Sequence, residues 1–147
     1  MMTHQNKGRS PGQTLVEFSL VAFLFVVLLL SIVEISRVAL VYTTVANAAR
    51  AGARYAIVHG STRTGSGVDA PSGPAQNPPE VITVVRNFAS PGLLSTGSLI
   101  ITVDYPGASN APGQVVSVTV VYPYDPLTAY FPLQMRLGST SRGVIAF

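Results

Sequence analysis

Few residues of this chain can bind a metal, attack a substrate or move a proton, and one stands where its charge is forced to matter. The 147 residues include no cysteine, so thiolate catalysis, cysteine metal sites and disulfides are excluded. Neither of the two histidines, His4 and His59, has a second ligand at metal-binding spacing. His59 is expected to be a solvated residue at a helix end, where the dipole favours its charge. Asp69, Glu80, Asp104 and Asp125 show no paired spacing for general acid–base work. Gly65-Ser66-Gly67 lacks the strand, helix and lysine of a phosphate loop. The pattern points away from an enzyme and from any metal, cofactor or small-molecule substrate. The exception is Glu17, the one charged residue in the apolar run Leu15–Val33.

A carboxylate in or near lipid costs roughly 2.5–3.5 kcal/mol, so it usually has a partner or a function. It can be an acid in a first helical turn at headgroup depth, favoured by the macrodipole. The alternative follows from Gly12. A cut after Gly12 makes Gln13 a free α-amine and Glu17 the fifth residue of the product. A carboxylate one helical turn from a new ammonium can pair with its own terminus or a neighbour's, removing two charges that lipid penalises.

The elements around these residues explain why lipid enters the argument. Leu15–Val33 is about 19 residues, roughly 28 Å of helix, close to the ~30 Å hydrocarbon core of a bilayer. The leader before it carries His4, Lys7 and Arg9 and no acid, which favours a cytoplasmic N-terminus with the rest outside. Ala46-Asn47-Ala48 has the look of a secretory cleavage site. It lies about 15 residues past Val33, and the apolar run exceeds the ~7–15 residues of a signal core. Charged residues are 10% of the chain and mean hydropathy is +0.42, as suits a membrane-anchored protein. The formal charge of +3 is no nucleic-acid footprint, because the nine basic residues are scattered.

Gly12 followed by Gln13-Thr14-Leu15-Val16-Glu17-Phe18 resembles the prepilin-peptidase signature of Flp-type pilins and their pseudopilin relatives. Leu15-Val16-Glu17-Phe18-Ser19-Leu20-Val21, Ile32-Val33-Glu34-Ile35-Ser36-Arg37 and the stretch Ala46 to Ala56 resemble the TadE-like family of tight-adherence pilus assembly proteins. The chain departs from the family pattern at Phe23, where a proline is frequent, and at Ser36, where glycine is usual. The resemblance implies processing between Gly12 and Gln13, roles for Glu17 and Phe18 in processing or assembly, and a prepilin peptidase and other pilins or pseudopilins as partners. It implies a single-pass protein of the cytoplasmic membrane, its C-terminal domain extracytoplasmic, acting in Flp pilus assembly.

Beyond Val33 the chain stays free of proline to Val58 and is rich in alanine, the best helix former. Val45, Ala48, Gly52 and Ala56 share one face; Thr43, Asn47, Arg50 and Arg54 share the other. Ala48, Gly52 and Ala56 form a ridge of small residues that lets another backbone approach closely, either the chain's own sheet or a neighbouring subunit. Arg50 and Arg54 read as a solvated or headgroup-facing stripe. Glu34 and Arg37, three apart, are placed to pair on the helix surface.

Residues 60–79, rich in Gly, Ser, Thr and Pro, read as a long exposed loop. Pro78-Pro79-Glu80 then opens a short helix with Asn77 as cap and Val81, Val84, Val85 and Phe88 as its apolar face. Alternation predicts strands over Leu99–Tyr105 and Gln114–Tyr122, with Val116, Val118, Val120 and Tyr122 facing inward, and a third over about Leu133–Ala146. Tyr122-Pro123-Tyr124-Asp125-Pro126-Leu127-Thr128 resembles the family's connection after its strand, and its aromatics read as a packed corner. The expected fold is α+β: a long N-terminal transmembrane helix extending into a small pilin-like domain with one short helix and a roughly three-stranded antiparallel sheet. The division expected is a leader over 1–12, helix over 13–59, loop over 60–79 and domain over 80–147. The rival is an uncleaved, signal-anchored binding domain that recognises a ligand through the 60–79 loop.

Overall fold

A computed structural model describes residues 11–66, 71–127 and 134–147. The leader residues His4, Lys7 and Arg9, with Gly67, Asp69 and the stretch from Thr128 to Leu133, lie outside the described residues.

One helix, α1 (Pro11–Val58), runs for 48 residues, about 72 Å at the ~1.5 Å rise of an α-helix. It meets no proline after its first position, and Phe23 keeps the backbone N–H that proline would remove. The chain divides into two compact units, one ending at Ser36 and one comprising Arg37–Phe147. In the first, the side chains from Leu15 to Val33 are almost all exposed, and the helix is long and apolar enough to cross a membrane. Its serines do not waste their hydroxyls: Ser19, Ser31 and Ser36 each donate to a carbonyl one turn back, on Val16, Val27 and Ile32, at 2.8 Å. In a medium without water this is how a short polar side chain is tolerated.

The second unit is an antiparallel sheet with helices on one face, a mixed α+β fold. Strands β1 (Ile100–Asp104), β2 (Val115–Tyr124) and β3 (Met135–Val144) pair in the order β1-β2-β3. Val103 pairs with Val118, and Val118 with Ser141. Val116, Val118, Val120 and Tyr122 face inward and are buried, as strict alternation requires when one face is covered. The helical part of that core comes from α1 through Val41, Val45, Ala48, Ala49, Ala53 and Ala56. β3 tolerates Gly143 because a side chain there would run into Ile57 of α1.

The short helix α2 (Pro79–Ala89) ends in a 3-10 turn, Ser90–Gly92, that rests on Thr44 of α1. Its buried stripe is Val81, Val85 and Ala89. Phe88, expected on that face, is 51% exposed. The i, i+4, i+8 row is the one turned into the core, with Val81 and Val85 lying against Gly52 of α1.

Asn77 does not cap α2. The N-cap is Pro78, without a side-chain cap bond. Asn77 takes the left-handed conformation, φ 58°, and its Oδ1 accepts the Val103 N–H of β1 at 2.7 Å. Its own N–H donates to the Val103 carbonyl at 3.0 Å. As the edge strand, β1 has unpaired groups, and Asn77 satisfies both of those on Val103. Most described residues of the 60–79 segment are exposed, as its composition suggests, while Gly60, Ser72 and Pro78 are buried.

Candidate functional site

At the start of α1, Gly12, Gln13, Val16, Glu17 and Leu20 line one shallow face. The positions recur at three and four residues, so they stack along a single side of the helix. An added Cβ at Gly12 would meet nothing within 4 Å, and Phe18 projects at 73% exposure. The Gly12–Gln13 bond lies within α1, next to its first described residue. Glu17 stands one turn beyond Gln13.

The small-residue ridge lies in the compact unit. Ala48 and Ala56 have no exposed surface, and Gly52 is buried. A methyl group at Gly52 would run into Val85 of α2 and come within 3.2 Å of Val118 of β2 and 3.5 Å of Val81. The occupant of the ridge is therefore this chain's own α2 and β2, and Gly52 is where the close approach is tightest. Thr43, Asn47, Arg50 and Arg54 are exposed opposite, with Arg50 donating to Asn47 Oδ1 at 3.2 Å.

Near the start of the unit, Arg37 donates from Nη1 to the Asp125 carbonyl at 3.1 Å, and its guanidinium lies 4.9 Å from the Tyr124 ring centroid. Tyr122 and Tyr124 are buried, which makes the aromatics after β2 a packed corner. Beside them is a cleft of about 390 Å³ lined by Arg37, Leu40, Pro91, Leu94, Tyr122 and Leu127, among others.

The far end of α1 is closed by a polar cluster that the sequence did not suggest. Four terminal carbonyls need partners, and each has one. His59 Nδ1–H donates to Tyr55 O at 2.8 Å and the His59 N–H to Ala56 O at 3.3 Å. The Ala146 N–H reaches Ile57 O at 3.0 Å, and Arg63 Nη1 reaches Val58 O at 3.3 Å. A carbonyl can only accept, so Nδ1 carries the proton. His59 is stacked on Tyr55 at 3.8 Å and is 6% exposed, which corrects the expectation of a solvated residue. The reason is tertiary: the chain folds back over the helix end.

Ser72 is the centre of that return. Its N–H and Oγ both donate to the His59 carbonyl, at 2.7 and 3.3 Å, and its carbonyl accepts from Asn110 Nδ2 at 3.1 Å and Tyr105 Oη at 3.4 Å. Burial in the first place raises the Tyr105 pKa above its ordinary value; its hydrogen bond with Ser72 works against that, and the charge of Glu80 adds to it. The cluster's hydrogen bonds are mutual, which suits a clamp and leaves no nucleophile beside a base. Among the described residues no group of three or more His, Cys, Asp or Glu could hold a metal ion. The signal for Ser72 and Asn77 was weak in sequence, because each lies beside proline or glycine in a segment that reads as loop.

No curated protein and no solved structure matches the chain. The family model for TadE-like proteins matches residues 12–54. The match begins at Gly12 and takes in Gln13, Glu17, Phe18, Ala48 and Gly52, so over this segment the chain is similar to TadE-like proteins, the family its motif resembles.

Proposed function

We propose that this chain is a TadE-like pseudopilin or minor pilin that acts in assembly of Flp-type, tight-adherence pili. The observation that carries the reading is a family match whose first residue is Gly12, directly before an apolar helix long enough to cross a membrane. A prepilin peptidase cuts between Gly12 and Gln13, at the exposed first turn of α1. Leu15–Val33 then anchors the product in the cytoplasmic membrane, with the compact unit outside the cytoplasm. The role is structural: α1 holds the subunit, and the folded unit meets other pilins or assembly components.

Glu17 is the residue on which assembly chemistry turns. Its carboxylate neutralises the ammonium freed at Gln13, on its own chain or on a neighbouring subunit, so that neither charge stands alone against lipid. Phe18, beside it and exposed, belongs to the surface that the peptidase and the neighbouring helices meet. The Ala48, Gly52 and Ala56 ridge serves the folding of the subunit itself.

The test is the intact mass of the membrane-extracted chain, produced with and without a prepilin peptidase. A peptidase-dependent product beginning at Gln13, allowing for loss of ammonia if Gln13 cyclises, supports the reading. A chain that keeps its leader beside an active peptidase refutes it and favours an anchored binding domain. Cleavage near Ala48 would mean that the apolar run is a secretory signal.

A further inference from the structure

The two edges of the sheet are finished differently. β1 is five residues long, and Asn77 takes up both the N–H and the carbonyl of Val103. β3 runs for ten residues without proline and pairs with β2 in unbroken register from Met135 to Val144. Proteins ordinarily blunt a free edge with a short strand, a proline, a bulge or a covering segment, because unpaired backbone groups are a template for another strand. Among the described residues β3 has none of these.

Asn77 also identifies which groups of β3 are free. Because Val103 turns its N–H and carbonyl outward to Asn77, Val103 and Val118 do not bond one another, and Val118 turns its own groups to Ser141. Backbone groups of successive strand residues point to opposite sides, so Arg136, Gly138, Thr140, Arg142 and Val144 face away from β2. The residues that follow keep the alternation: Ile145 bonds Gly113 and Gln114, and the Ala146 N–H turns the other way, to Ile57 O. Among the described residues no hydrogen bond reaches the outward-turned backbone groups of β3.

The side chains along this edge specify what pairs with it. A second β3 laid antiparallel about a two-fold axis through Thr140 sets Thr140 against Thr140, Gly138 against Arg142 and Arg136 against Val144. Every free N–H and carbonyl of the strand then has a partner, and no arginine stands directly opposite another. On the inner face Leu137 comes against Gly143, over which Ile57 lies, and Ser139 against Ser141. Moving the axis to Ser139 places Arg136 directly opposite Arg142, a like-charge pair that destabilises. Moving it to Ser141 places Arg136 opposite Ala146, whose N–H is already bonded to Ile57 O.

We propose that β3 is a self-association edge: two copies of the chain join their sheets through antiparallel β3 strands, with the two-fold axis at Thr140. The same strand serves both copies, so the contact closes at a pair. This goes beyond the processing reading and is independent of it, because every group involved lies in the folded unit.

The chain has no cysteine, so single cysteines report cleanly. Full-length protein carrying Thr140→Cys, Arg136→Cys or Thr102→Cys, all exposed positions, is oxidised with copper phenanthroline in detergent micelles. Disulfide-linked dimer is followed by non-reducing electrophoresis. At the axis the two Cα atoms stand about 5.5 Å apart, inside the roughly 4.4–6.8 Å that a disulfide spans. The two copies of position 136 are roughly 27 Å apart, at ~3.4 Å for each residue of offset. Thr140→Cys is expected to cross-link on the order of tenfold faster than either other variant, because docking raises the effective concentration of its thiols. Equal rates at 140 and 136 would mean parallel or unspecific contact and overturn the proposal. Faster cross-linking at 102 than at 140 would assign self-association to the other edge and overturn it as well. No cross-linking at 140, whatever the oligomeric state, would leave the edge to a strand of a different chain and overturn the second copy as its occupant.

Discussion

Replacing Gly52 with alanine sets two effects of known size against each other. Alanine in place of glycine within a helix is favourable by about 1 kcal/mol, through backbone entropy. In an isolated α1 the change would stabilise. In the folded unit the new methyl runs into Cγ2 of Val85 and lies 3.2 Å from Cγ1 of Val118. Neither valine can step aside. Both are fully buried, both are β-branched with few rotamers, and Val118 belongs to the central strand. Overpacking of this kind costs roughly 1–3 kcal/mol. The net expectation is a loss of about 1 kcal/mol, or about 4 °C in Tm for a unit of this size. The assay is thermal unfolding of the full chain in detergent, followed by the tyrosine near-UV signal, which is free of tryptophan. Val85→Ala alone should cost about 2 kcal/mol for the cavity it leaves. Because the same alanine makes room for the methyl, the double variant should be more stable than the sum of the two by about 1 kcal/mol. A rise in Tm for Gly52→Ala, or strict additivity with Val85→Ala, would show that α2 and β2 do not press on the ridge, and the reasoning would fail.

Three further perturbations address other parts of the chain. Gly12→Leu should abolish the peptidase-dependent mass change, whereas Glu17→Ala should be cut but should reduce recovery of the subunit in pilus-associated fractions; normal processing and normal recovery would sink the neutralisation role. Asn77→Ala removes the acceptor for the Val103 N–H and forces a side chain to keep φ 58°, so it should cost about 1–3 kcal/mol in urea unfolding. Asn77→Gly should recover only the backbone part. The raised pKa of Tyr105 has a signed consequence: the folded state holds its proton at pH values where the unfolded chain has lost it, so stability is constant below about pH 10 and falls as pH rises through the folded pKa. Tyr105→Phe should flatten that alkaline decline; an unchanged slope would place its origin elsewhere.

Legibility differed from element to element. The apolar run and the alanine-rich continuation of α1 are local properties, set by composition and the absence of proline. The inward face of β2 was readable because side chains alternate with a period of two, so one buried valine specifies the rest. The motif at Gly12 was readable for a different reason: it is a linear pattern of consecutive residues, Gly12 to Phe18, that needs no tertiary fold to be seen. Phe88 was misjudged because hydrophobicity ranks it above Ala89, while the row turned into the core is Val81, Val85 and Ala89. Asn77 was assigned to the helix next to it in sequence, yet its partner is the Val103 N–H, 26 residues away.

The sequence by itself determined which segments are helix or strand and most of their apolar faces. Both follow from neighbours within a turn or two. Only the tertiary structure decided what fills each face. The ridge at Ala48, Gly52 and Ala56 could receive any close-packed backbone, and it receives Val81, Val85 and Val118 of the same chain. His59 could stand in water, and it is buried because Ser72 returns to its carbonyl. A periodic pattern states that a surface must be covered; the identity of the cover depends on loop closure and on shape at contacts between residues far apart in the chain.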